Sequence, residues 1–145
     1  MQSGKNRVKF RYDELCHMTE KILSIDIGVH SFKNIQLKDV KYFSGALDLT
    51  FYLFDEGFKS NVMVTFEWIH SFRVTDEGDL LKMQDDLNGR MITGIYTVEG
   101  SHYLSWFNEQ SANIHDGGSI NHYLIVTGDD VIEVLSSVSP TITSC

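Results

Sequence analysis

Along most of this chain apolar and polar residues alternate one for one, the spacing of a strand with one face turned inward. The longest such run is Val62 to Val74. Val62, Val64, Phe66, Trp68, His70, Phe72 and Val74 fall on one side, and Thr65, Glu67, Ser71 and Arg73 on the other. The pattern predicts one long strand with His70 on its apolar face. Leu47, Leu49, Phe51 and Leu53 alternate with Asp48, Thr50 and Tyr52 in a second strand, and the intervening DEGFKSN (55–61) supplies turn formers, so the two are expected to pair antiparallel. Shorter runs predict further strands: Val8, Phe10 and Tyr12; Ile25, Ile27 and Val29; and MITGIYTV (91–98) behind the tight-turn pair Asn88-Gly89. HYLIVT (122–127) and VIEVL (131–135) flank Gly128-Asp129-Asp130 and are expected as a hairpin near the sheet centre.

Two stretches carry helical spacing. Asp13 can cap a short helix bearing Leu15, Met18 and Ile22, and Asp79 a brief one over LLKMQDDL (80–87). The residues 34–43, NIQLKDVKYF, fit helix or strand equally. SHYLSWFNEQS (101–111) presents Tyr103, Trp106, Phe107 and Gln110 on one helical face, but its aromatic content favours a strand. Pro140 is expected to end the ordered part, leaving Thr141 to Cys145 as a loose tail. These elements sum to an α+β, β-rich fold: an antiparallel sheet or half-barrel of about seven or eight strands with one or two short helices. With 145 residues and 42% apolar content, it is long enough for one domain over 1–145 with a real core.

Charge is unevenly spread. Residues 1–72 hold nine basic and nine acidic residues, whereas 73–145 hold three basic and eleven acidic, so the whole net charge of −8 lies in the second half. Such a field repels nucleic acid and anionic membranes and speeds encounter with a basic protein; an acidic surface also serves plain solubility. No apolar run approaches the length of a membrane span, the N-terminal residues lack the apolar core of a secretory signal, and two cysteines, Cys16 and Cys145, form no framework. A reducing compartment, the cytoplasm, is therefore expected.

Candidate chemistry is sparse. Cys16-His17 is a poor thiol–base pair, because neighbours on a helix or strand point apart. His102, His115, Asp116 and His122 share a short window without ligand spacing, so neither a metal nor a cofactor is expected. Asp129 and Asp130 are accounted for by their turn. His70 is expected to be a core histidine, and with no convergent acid–base set the chain is expected not to be an enzyme. Trp106 and Phe107, at the root of a loop carrying Glu109, Gln110, Asn113, His115 and Asp116, have the make-up of a protein-binding edge.

Small, cytoplasmic, acidic in one half and without an active site, the chain resembles the immunity proteins that neutralise bacterial contact-dependent inhibition and other polymorphic toxins. The resemblance is one of class and spans the full length, without a shared motif. It implies a cognate toxin partner, a basic domain and typically a nuclease, occluded by a tight complex. The binding set expected for that role is Asp76, Glu77, Asp79, Asp85, Asp86, Trp106, Glu109, His115 and Asp116. The alternative is a small-ligand- or metal-binding β-rich domain, or an enzyme, in which His102, His115 and His122 converge near a pocket; a subunit with exposed sheet edges is a third reading.

Overall fold

The computed structural model describes residues 20–25, 34–55, 57–76, 92–115 and 118–144. These form nine strands and one helix: β1 (Lys21–Ser24), β2 (Ile35–Phe43), β3 (Ala46–Asp55), β4 (Phe58–Phe66), β5 (Ser71–Asp76), β6 (Gly94–Glu99), α1 (His102–Gln110), β7 (Asn121–Val126), β8 (Asp130–Ser136) and β9 (Thr141–Ser144). All neighbouring strands are antiparallel, and they build two open sheets rather than one sheet or a half-barrel. One runs β1-β6-β7-β8-β5 and the other β2-β3-β4-β9.

The inward faces share one apolar cluster. Leu47, Leu49, Phe51, Val64 and Phe66 come from the four-stranded sheet, and Ile95, Tyr123, Ile125, Ile132 and Val134 from the five-stranded one. Alternation in β3 and β4 therefore holds as read. β7 and β8 are continuous apolar runs for a different reason: their second face is buried too, where Val98, Leu124, Val126 and Val131 form a smaller cluster. The expected hairpin of these two strands stands at the sheet centre, with Thr127 Oγ1 accepting from the Asp129 and Asp130 amides across the turn.

The predicted long strand is broken. β4 ends at Phe66 in one sheet and β5 begins at Ser71 in the other. The four residues between them make the crossing, and their backbone groups are bound from both sides: the Ile69 amide donates to Gly45 O and the His70 amide to Leu135 O, each at 2.8 Å, while the Ser136 hydroxyl donates to Trp68 O at 2.5 Å. Alternation slips within this corner, so Ile69 is buried and Trp68, read as a core residue, is exposed, while Phe72 beyond it packs on the core again. Trp68 instead lies across Gly45, in the β2–β3 turn.

Other expectations shift with tertiary pairing. Residues 35–43 settle as strand β2, paired along β3. Ile22, placed at the end of a helix, is in β1 opposite Val98; the remainder of that helix, the strands at Val8–Tyr12 and Ile27–Val29, and the helix over 80–87 lie outside the described residues. The segment after Pro140 is not a tail, because Thr141–Ser144 pairs with Val62–Thr65 as β9. Residues 102–110 are helix, not strand.

Candidate functional site

The helix forms because Ser101 caps it. Ser101 is extended (φ −62°, ψ 125°) and its hydroxyl accepts the Leu104 amide at 2.9 Å, satisfying one of the donors a helix start leaves over. Its first turn seats on the second face of the five-stranded sheet, over a polar network that the strand register assembles. Arg73 of β5 stands directly opposite Glu133 of β8; His122 of β7 pairs with Leu135, which makes Glu133 its diagonal neighbour on the same face.

Arg73 grips Glu133 with two donors, Nε to Oε2 and Nη2 to Oε1, the latter at 3.0 Å. His122 Nε2 lies 3.0 Å from the same Oε1 but approaches off the N–H axis, making a close polar contact rather than an aligned hydrogen bond. On its other side, His122 Nδ1 is 2.6 Å from the Ser101 hydroxyl. A carboxylate only accepts, so the ring proton belongs on Nε2 facing Glu133, and Nδ1 accepts from the Ser101 hydroxyl, whose oxygen in turn accepts from Leu104. Tyr103 closes the network from above: its ring lies edge-on to His122 and 4.0 Å beneath the Arg73 guanidinium, and its hydroxyl meets Ser71 Oγ at 2.5 Å.

Burial by itself would raise the Glu133 carboxyl, but contacts from His122 and Arg73 outweigh it and hold it below the usual glutamate range. Burial drives the Tyr103 phenol up. Ser101 and His122 are 6% and 4% exposed. At that depth, with the serine oxygen engaged as a cap, the Ser–His–Glu series is a support that fastens α1 to the sheet.

The helix presents Trp106 and Glu109 outward, and its C-terminal turn folds back through Ala112 and Asn113, both at positive φ. His115 thereby stacks on Phe107 and comes within 4.9 Å of the His70 ring, centroid to centroid. His70 is thus half-buried at the sheet crossing, and burial, followed by His115, lowers its proton affinity. The three histidines of the alternative reading have different neighbours: His102 lies beside Glu20, His115 against Phe107 and His70, and His122 between Ser101 and Glu133. No group of three ligating side chains able to hold a metal occurs among the described residues.

Of the expected binding set, Asp76 ends β5 opposite Asp130, and Asp129 adjoins them. The Asp130 carboxyl is raised by burial and then by the negative charges of Asp129 and Asp76. Trp106, Glu109 and His115 belong to the other end of the sheet. Asp130 and Leu135 are five positions apart on β8, about 17 Å at strand rise, so Asp76 is not gathered with them. Glu77, Asp79, Asp85, Asp86 and Asp116 lie outside the described residues. No family model, curated protein or solved structure matches the chain. Function is therefore argued from these residues alone.

Sequence reasoning passed over Ser71, Arg73, Ser101, Tyr103 and Glu133 as a group. The signal available was a glutamate inside VIEVL and a histidine heading HYLIV, polar residues in runs otherwise buried on both faces.

Proposed function

We propose that this chain is an immunity-type binding protein, not an enzyme, which neutralises a cognate basic toxin domain, a nuclease in the first instance. The observation that carries the reading is the acidic end of the five-stranded sheet, where Asp76 stands opposite Asp130 beside Asp129, and burial, with the two neighbouring charges after it, raises the Asp130 carboxyl. Carboxylates in that position take the place of phosphates in a basic cleft and steer its approach. An interface of standard size is about 30 Å across, wide enough to reach from this end to Trp106, whose exposed ring adds apolar contact at the α1 end. α1 itself is held rigid by the Arg73–Glu133–His122–Ser101 support, so Trp106 and Glu109 are presented in a fixed geometry. No helix among the described residues is long and apolar enough to cross a membrane.

The test is the association rate with the toxin domain encoded beside its gene, measured by stopped flow across a salt series. The triple change Asp76→Asn, Asp129→Asn and Asp130→Asn is expected to slow association about tenfold at low salt and to flatten its salt dependence. Unchanged rates, or no complex, overturn the reading.

A further inference from the structure

The outer face of the four-stranded sheet carries a second, oppositely charged feature. Tyr52 of β3 is flanked directly by Gln36 of β2 and Asn61 of β4, and Phe54, two residues on, faces Lys59. Two ammonium groups converge on the Tyr52 ring: Lys59 Nζ is 3.8 Å and Lys38 Nζ 5.3 Å from its centroid. Neither lysine has an ion pair among the described residues. Lys38 reaches the ring from a bulge, for the β2–β3 register slips between Leu37 and Asp39, and bulges of this kind re-aim a side chain. Beside the ring the Phe54 phenyl is 43% exposed, and its centroid is 6.2 Å from that of Tyr52.

We infer that this face binds single-stranded nucleic acid, with the Lys38 and Lys59 ammoniums on consecutive phosphates and a base stacked on Phe54 against Tyr52. Two like charges held over one ring, with no ion pair to either among the described residues, favour an anion, and an exposed ring next to them favours a planar group. The combination on an open sheet fits a strand of nucleotides laid across it. Gln36 and Asn61 supply donors and acceptors at the same level. Further along, Lys41 stands opposite Asp48, and Asp39 opposite Thr50, so among the described residues of this face the lysines with no acidic residue opposite them are those at Tyr52. Residues 1–72, which supply β2, β3 and β4, hold as many basic as acidic residues, and Asp76 and Asp130 belong to the other sheet.

The experiment is fluorescence anisotropy of the whole chain with a labelled uridine 12-mer, an abasic 12-mer of the same length and a polyglutamate of matched charge. The uridine strand is expected to bind most tightly. Phe54→Ala weakens it about tenfold, the worth of one stacked base, and leaves the abasic strand unchanged. Lys38→Ala with Lys59→Ala weakens both strands and lowers the slope of log affinity against log salt by about 1.4, roughly 0.7 for each phosphate that a lysine no longer neutralises. These positions lie on an exposed sheet face, and circular dichroism verifies the fold of each variant. The inference is overturned if the uridine strand fails to bind at about millimolar protein, the weak limit of such contacts, if it ignores the lysine changes, or if the abasic strand or polyglutamate binds as tightly.

Discussion

Gly45 shows how one residue can be fixed by two independent demands. Its φ of +84° is in the left-handed region, and a Cβ built there would overlap Trp68 Cζ3. Alanine would meet both the backbone penalty and the indole, so Gly45→Ala is expected to cost about 2 kcal/mol in urea unfolding and to shift Trp68 emission. Pairing it with Trp68→Ala should recover the steric part and leave the backbone part. Glu133 is the other residue on which much converges, since its carboxylate is the shared partner of Arg73 and His122. Glu133→Gln leaves the half-exposed Arg73 guanidinium and the buried His122 imidazole facing a neutral amide, with an expected loss of about 2 kcal/mol.

The titrating groups set the pH profile with a definite sign. His70 and Glu133 both have folded-state proton affinities below their ordinary ones. The unfolded chain then binds more protons than the folded one, so their contribution is present above the ordinary values and is lost as pH falls, first below about 6.5 through His70 and then below about 4.5 through Glu133. Asp130, raised, acts in the opposite sense and favours the folded chain as pH falls through the aspartate range. Unfolding midpoints measured from pH 8 to pH 3 should decline overall, and Glu133→Gln should remove the part of the decline below about 4.5 while His70→Phe removes the part below about 6.5.

At the scale of elements, the helix and the last strand depend on single features. Ser101 both caps α1 and satisfies His122 Nδ1. Ser101→Ala is expected to lose about 2 kcal/mol, more than a cap alone, because a buried imidazole nitrogen is left without its partner, while Ser101→Thr should retain most of it. β9 covers the edge of β4, and its Ile142 packs on the main core. Removing residues 140–145 opens a row of backbone groups along Val62–Thr65, so the shortened chain is expected to unfold at lower urea and to show raised apparent mass in light scattering. The element that sequence reading merged, Val62 to Val74, illustrates why edges and crossings matter. Period-two alternation continues through Phe66, Trp68 and Phe72, and only the partners waiting on each side, β3 and β8, decide that the run is two strands in two sheets.

For the whole molecule, two sheets separate two electrostatic characters. The acidic end at Asp76, Asp129 and Asp130 belongs to one sheet and the Lys38–Lys59 convergence to the outer face of the other. A basic partner at the first and an anionic strand at the second need not compete. High salt is expected to weaken both, and only the aspartate-to-asparagine triple should affect the first alone. Saturating the chain with the uridine 12-mer before mixing it with the proposed toxin domain would leave the association rate unchanged if the surfaces act separately, a stopped-flow measurement with a direct reading.

What the sequence determined by itself was local and periodic. Alternation of apolar residues placed β3 and β4, because side chains on a strand must alternate and burying one face requires it, while short apolar runs beside turn residues placed β6, β7 and β8. It also located the charge in the second half and the turn at Gly128–Asp130. What only the tertiary structure decided was everything set by long-range pairing: the break at Phe66, the strand beyond Pro140, and the union of Arg73, His122 and Glu133 from three strands. Those contacts join residues from 60 positions apart down to 11, and no spacing along a chain records which strands will lie side by side.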